Sequence, residues 1–501
     1  MSQAWQWPPG SGLFVVLLIL LLLLFGALRV RGHQAANPPA EPPLLLLNDF
    51  DAITVHQMYE GCLGIGGTGS GKSSTLQHLM LALMQRGAGM LFLTAKGDDY
   101  AAIARLAAEA GRAADLVRFA PGEQWRFDFL NYELTSPGGS VQTAGQLMQD
   151  LVDFSTRTSA MQNNEPFWPI AAARKIRMAM TVVFKAKGKC GIDDIYNFCV
   201  SMPNTPEQRD SKEFRESFCC ECLLEASQKC PDDDDLGLAG DFVLKEWPRL
   251  SDRTGGCIDA YVNNLTEKYM HGSVRDLVAN GTTNVSPAGL DAGKLIVVDL
   301  PVLVGREPYQ FVQMIWKLGT LRHALRRTIT PESRDLVIWA DEAQLHALPS
   351  VDSAMQAVSR SQKLINVAIT QNIPLLESVL KRREDVLAWI SNLQTKFIFA
   401  NSDKDTNEYF SALLGQSKQL LGSGSVNTGN ADPLSDWFGI QQQGSYSMTE
   451  HFLPQVRPEA WTRCRKGGRE NGYMVDCYVF QGGRRFSNGK TWIKTSFRQR
   501  V

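Results

Sequence analysis

Gly66-Gly67-Thr68-Gly69-Ser70-Gly71-Lys72-Ser73 decides how this chain is read. A glycine, four residues and then Gly-Lys-Ser is the spacing of a phosphate-binding loop. Gly66, Gly67, Gly69 and Gly71 let backbone N–H groups turn inward around phosphate oxygens, where side chains would block them. Lys72 has the length to meet the β- and γ-phosphates, and the Ser73 hydroxyl suits the Mg²⁺ that bridges them. Thr68, Ser70 and Ser74 complete the expected nucleotide-binding set, and the cofactors expected are ATP and Mg²⁺. Cys62-Leu63-Gly64-Ile65 ahead of the loop reads as a buried strand. Thr75 to Arg86 behind it reads as a helix whose positive N-terminus faces the phosphates. A glycine-rich turn matching by accident would not need that strand and helix around it.

Bulk properties set the frame. The chain has 501 residues, with 51 Lys+Arg against 52 Asp+Glu, so no global basic bias advertises nucleic acid. Hydrophobic residues make up 44%, enough for a large core, and the length suits two to four domains. The ten cysteines are irregularly spaced and read as reduced thiols beside a loop that needs cytosolic ATP.

Gly12 to Leu28 is apolar throughout, with no charged side chain before it and Arg29 and Arg31 directly after. A membrane core takes about 17–25 such residues, so the stretch reads as a transmembrane anchor. A cleaved signal peptide would carry its positive charges on the other side. The positive-inside rule then places the N-terminus in the periplasm and the bulk of the chain in the cytoplasm, with Trp5 and Trp7 at the outer interface. Pro38, Pro39, Pro42 and Pro43 stiffen the spacer that follows.

Past the loop, Met90 to Thr94 and Leu116 to Ala120 read as strands with an Ala-rich helix, Asp98 to Gly111, between them. This alternation predicts a parallel sheet covered by helices on both faces. From about Ser140 to Met270 the pattern is helical: Val141 to Arg157, Phe167 to Lys185, Ile192 to Met202 and Lys212 to Gln228. Asp232 to Asp235 reads as a solvated loop. Strands resume at Leu295 to Leu300, Leu336 to Ala340, Asn366 to Thr370 and Lys396 to Ala400, and Tyr473 to Gln481 and Thr491 to Phe497 close the chain. Gly422 to Gly429 reads as a mobile loop. The expected organisation is an anchor at 1–31, a linker at 32–43, a nucleotide-binding domain at 44–138 and 286–501, and a mainly helical insert at 139–285.

Leu336 to Glu342 supplies what a phosphate loop lacks. Asp341, at the end of a buried strand, suits the water shell of Mg²⁺, and Glu342 suits polarisation of the attacking water. Gln371, after the next strand, could orient that water, or the segment could simply open a helix with Asn372 as its cap. Arg360 lies between those two strands. It reads either as a cation donated across a subunit boundary to phosphoryl charge or as a solvated basic helix end. Cys219 and Cys222 make one CxxC pair near Cys220 and Cys230, with no second pair and no nearby histidine, so helical thiols are preferred over zinc.

Taken in order, these stretches resemble the coupling-protein ATPases of bacterial conjugation and type IV secretion, relatives of FtsK- and HerA-type DNA pumps. The resemblance is carried by Gly66 to Ser73, Lys96-Gly97-Asp98, Phe127 to Asn131, Pro166-Phe167-Trp168 and Gly293-Lys294. It continues through Asp341-Glu342, Thr370-Gln371-Asn372 and Asn401-Ser402-Asp403. It implies an α/β fold: a RecA-like P-loop domain with an inserted all-helical domain. It also implies a homo-hexameric ring at the inner membrane, with nucleotide between subunits. Lys72, Glu342, Gln371 and Arg360 would then be catalytic, and Ser73 and Asp341 would hold Mg²⁺. Around Arg360 the family's Arg-Lys pairing is replaced by Arg-Ser-Gln-Lys. The expected function is delivery of relaxase-bound single-stranded DNA, or of effector proteins, to a type IV secretion channel. The alternatives are a double-stranded DNA translocase of the FtsK/HerA kind, and a receptor platform that ATP gates without translocation.

Overall fold

The computed structural model describes residues 41–158, 167–270, 272–279, 281–426 and 444–500. The Gly12–Leu28 stretch and most of the proline-rich spacer lie outside them. Among the described residues no helix is long and apolar enough to cross a membrane.

The strands are β1 Leu45–Leu46, β2 Ala52–Ile53, β3 Cys62–Ile65, β4 Gly89–Leu93, β5 Leu116–Phe119, β6 Leu295–Val298 and β7 Leu336–Ala340. They continue with β8 Leu364–Thr370, β9 Thr395–Ile398, β10 Gln416–Val426, β11 Gly444–Pro454, β12 Met474–Gln481 and β13 Trp492–Arg498. Nine of them form one sheet in the order β13-β12-β9-β3-β8-β7-β4-β6-β5. From β9 to β5 all neighbours are parallel, whereas β12 adds antiparallel to β9 and β13 to β12.

The continuous apolar runs of β3, β4, β6 and β7 follow from burial on both faces. Alternation sorts their side chains. Leu91, Leu93, Ile296, Val298 and Ile338 pack into one core layer. Met90, Phe92, Leu295, Val297, Val337 and Trp339 pack into the other. The second layer is closed by the helices Lys72–Gln85 and Asp99–Glu109, which contribute Leu76, Leu79, Ile103 and Leu106. The first is closed by the helix Val302–Arg326 through Phe311, Ile315 and Trp316.

Between β5 and β6 the chain runs through helices from Val141 to Val278, the longest being Phe167–Lys187 and Asp252–Met270. Their buried side chains, Val183, Ile195, Phe198 and Val262 among them, belong to the same apolar cluster as the first sheet face. The helical segment is therefore continuous with the sheet core.

Three expectations are corrected. Lys212 to Gln228 is two helices, Lys212–Arg215 and Phe218–Lys229, because Ser217 turns its hydroxyl to the Cys220 N–H and restarts the helix. Asp232 to Asp235 is no loose loop: Asp233 accepts the Leu236 N–H at 2.9 Å and caps the helix Asp234–Asp241, while also pairing with Lys185. Gly422 to Val426 lies inside β10, where Gly422 pairs with Met448 and Gly424 with Tyr446, so the ladder satisfies a backbone that composition reads as loop. The rest of that stretch lies outside the described residues.

Candidate nucleotide site

All seven parallel strands point their carboxyl ends to one edge, which is where ligands bind in open α/β sheets. Gly66 to Gly71 leaves β3 at this edge and enters the helix Lys72–Gln85. Gly67 N–H donates to Ala400 O at 2.9 Å and Gly66 N–H to Thr370 O at 3.3 Å, which ties the loop to the ends of β9 and β8. Gly71 has φ +77°, and a Cβ there would lie 2.5 Å from Val475 Cγ2. Only glycine meets both demands, so β12, which carries Val475, presses directly on the loop. Gly69, with φ +71°, has open space around it.

The side chains expected to bind phosphate and Mg²⁺ converge here. Lys72 is 7% exposed and, among the described residues, has no ion pair. Burial draws its pKa below the usual lysine range, with Glu342 and Asp341 acting in the opposite direction. Ser73 Oγ donates to Asp341 Oδ2 at 3.2 Å. Burial, then the neighbouring Glu342 charge, raises the Asp341 pKa, and Lys96 and Lys72 oppose them. Ser70 Oγ is buried and unpartnered among the described residues, whereas Ser74 Oγ donates to Gly71 O at 3.1 Å. A buried unpaired lysine beside a hydroxyl–carboxylate pair of hard oxygen donors fits a nucleoside triphosphate with Mg²⁺.

Asp341 does not reach the loop from the adjacent strand. β8 lies between β3 and β7, so the immediate neighbour of the loop is Gln371. Thr68 Oγ1 donates to Gln371 Oε1 at 3.1 Å, and Gln371 Nε2 donates to the Glu342 carboxylate at 3.2 and 3.3 Å. Asn372 caps the next helix through Leu375 N–H at 2.8 Å, so the cap and the site-facing amide are different residues. Glu342 is 6% exposed and sits at φ 52°, ψ 53°.

Arg360 is not brought to this cluster. It lies exposed in the turn before β8, at the amino end of that strand, whereas Gln371 follows its carboxyl end. The strand's seven residues separate the two by roughly 20 Å at about 3.3 Å per residue. Any role of Arg360 in phosphoryl chemistry would therefore serve a neighbouring subunit.

Two residues near the cluster carry no role from the sequence motifs. Lys96, just past β4, adds its charge to the fields at Lys72 and Asp341, and the β4–β7 register, which pairs Leu93 with Ala340, explains why. Gln344, two residues past Glu342, donates to Glu342 Oε2 at 2.8 Å. Its signal in the sequence, a glutamine in the turn Ala343–His346, is weak. Among the described residues no group of three or more His, Cys, Asp or Glu is placed to hold a metal, and Cys219 and Cys222 are fully buried thiols. Burial pushes the Cys222 thiol up to about 11.

Fold and site together define a RecA-like α/β fold with a phosphate-loop motif at the carboxyl edge of its parallel strands. Residues 335–451 match the family model described as the TraM recognition site of TraD and TraG. That span opens at β7, carries Asp341, Glu342, Arg360 and Gln371, and ends inside β11. No curated protein matches the chain.

Among solved structures, the unbound bacterial conjugative coupling protein TrwBdeltaN70 is similar at 14% identity and TM-score 0.60, over 94% of this chain and 91% of its own. The plasmid coupling protein TrwB with the ATP analogue ADPNP matches at 14% identity and TM-score 0.58, over 90% and 88%. The same protein with ADP and Mg²⁺ matches at 14% identity and TM-score 0.56, over 90% and 87%. The domain match covers residues 335–451, and the solved structures share the fold over most of the chain.

Proposed function

We propose that this chain is a membrane-anchored ATPase that couples ATP hydrolysis to the delivery of relaxase-bound single-stranded DNA, or of effector proteins, to a type IV secretion channel. It works as a homo-hexameric ring on the inner membrane, anchored by Gly12 to Leu28. The observation that carries the hydrolytic part is the junction of two strand ends with the phosphate loop. Asp341 meets Ser73 there, and Glu342 meets Thr68 through Gln371. The match of residues 335–451 to a recognition domain, and the coupling-protein fold around it, support the delivery part.

The residues divide the work. The N–H groups of Thr68, Gly69, Gly71 and Lys72, with the Lys72 ammonium, would hold the phosphates, since those of Gly66, Gly67 and Ser70 are committed to backbone carbonyls. Ser73 and Asp341 would hold Mg²⁺, which when bound would supply neutralisation of phosphate charge. The Glu342 carboxylate accepts the proton of the attacking water, and Gln371 orients it. Because Gln371 is bonded to Thr68 and Glu342 at once, any shift of the loop around phosphate is felt at the carboxylate.

The test is ATP turnover by the full chain in detergent, with and without single-stranded DNA. Turnover that Lys72→Ala lowers by on the order of a hundredfold or more supports the reading. No turnover under either condition, or turnover indifferent to Lys72→Ala, removes it.

A further inference from the structure

Glu342 adopts a left-handed backbone conformation, φ 52° and ψ 53°, that a side chain with a Cβ rarely occupies. Such a conformation persists only where surrounding contacts over-determine it. The structure supplies those contacts from one side. Gln344, in the turn Ala343–His346, is 6% exposed and donates its amide Nε2 to Glu342 Oε2 at 2.8 Å. Its Oε1 accepts the Thr370 hydroxyl at 2.9 Å, and Thr370 is fully buried. The amide has one allowed orientation here, because the opposite one would aim its carbonyl oxygen at a carboxylate. Gln371, one residue beyond Thr370, adds a second amide to the same carboxylate at 3.2 and 3.3 Å.

We infer that Gln344 is a positioning residue for hydrolysis: it fixes the Glu342 carboxylate against the end of β8 through Thr370. The inference rests on the reading of Glu342 as the proton acceptor and names what aims it. A buried carboxylate with a single amide donor could turn about its side-chain torsions. Two donors anchored on the same strand end leave it one direction, and preorganisation of this kind acts on the chemical step rather than on ground-state binding. The two hydrogen bonds of the Gln344 amide run to Glu342 and to Thr370, so it acts on the site through Glu342.

Gln344→Leu keeps a side chain of comparable bulk and removes both bonds. It is expected to lower kcat for ATP by roughly tenfold to a hundredfold while KM stays within about twofold. Thr370→Val, which removes only the distal bond, is expected to lower kcat by a few-fold, about twofold to fivefold. In a Glu342→Gln background, Gln344→Leu should cause no further loss of the residual turnover. A packing role would instead add its loss to that of Glu342→Gln or raise KM, and either result overturns the inference. Unchanged kcat in Gln344→Leu also overturns it. Should Gln344→Leu fail to bind nucleotide or to melt cooperatively, Thr370→Val carries the same test, and unchanged kcat there overturns the inference. If Glu342→Gln itself turns over ATP like the native chain, or the native chain shows no turnover, the reading of Glu342 fails and the inference with it. If Glu342→Gln is inactive and Gln344→Leu is normal, only the inference fails.

Discussion

Ser73 Oγ donates a hydrogen bond to Asp341 Oδ2 across 3.2 Å, although 268 positions separate the two residues in the chain. The contact joins the first turn of the loop helix to the end of β7, and it crosses over β8 to do so. A hydroxyl and a carboxylate held together in this way form a cradle of oxygen donors for a divalent cation. Asp341→Asn keeps the hydrogen bond to Ser73 and removes the charge. Nucleotide affinity in EDTA should then stay near the native value, while the gain on adding Mg²⁺ should fall by about tenfold, equivalent to about 1.4 kcal/mol. Titration of a fluorescent ATP analogue in EDTA and in Mg²⁺ reads both numbers. An undiminished Mg²⁺ gain in Asp341→Asn would remove Asp341 from the metal site.

Much of this cluster was legible because its parts are local motifs. The loop needs glycines at set positions and Lys-Ser behind them, and strand β7 announces itself as five apolar residues stopped by Asp341-Glu342. The strand order was not legible. Nothing in Leu364 to Thr370 says that this strand inserts between β3 and β7, because pairing is decided by tertiary packing. Nor could Gln344 be found from spacing, since its role depends on the left-handed turn at Glu342 that aims its amide back at the carboxylate. The glycines of β10 misled for the opposite reason. Composition reports what a backbone permits, and the ladder with β11 supplied the constraint.

The place of Arg360 gives a prediction that a single-subunit site would not. Arg360 lies at the amino end of β8, roughly 20 Å from Gln371 by the strand rise of about 3.3 Å per residue. If the ring proposed above forms, Arg360 can meet only a neighbour's nucleotide. Arg360→Ala should bind nucleotide normally and lose hydrolysis by on the order of a thousandfold. Glu342→Gln should also be inactive. Mixing the two inactive variants should restore part of the turnover, because some interfaces then pair an intact Glu342 with an intact Arg360 from the next subunit. A mixture as inactive as its components, or an Arg360→Ala variant that turns over normally, would assign the basic side chain to the solvated surface.

Stability should fall in mild acid for a reason lodged just behind the site. His346 closes the turn after Glu342, is 1% exposed, and neither ring nitrogen has a hydrogen-bond partner among the described residues. Burial, and then the Lys317 charge, push its pKa down to about 3. Lys317 is held close by donating to His346 O at 2.6 Å and pairing with Asp352 at 2.6 Å. The unfolded chain, with an ordinary histidine near 6.5, takes up a proton over a range where the folded chain does not. The unfolded state therefore binds more protons, and stability rises with pH between about 3 and 6.5. The contribution of His346 is intact above that window and is lost as pH falls through it. One unit below the ordinary value, at pH 5.5, the loss is about 1.4 kcal/mol. His346→Gln cannot titrate. The difference in unfolding free energy between pH 7.5 and pH 5.5, measured by denaturant melts of the full chain, should therefore be smaller in that variant by about 1.4 kcal/mol. Equal acid sensitivity in the two proteins would mean that the buried ring takes up its proton without cost.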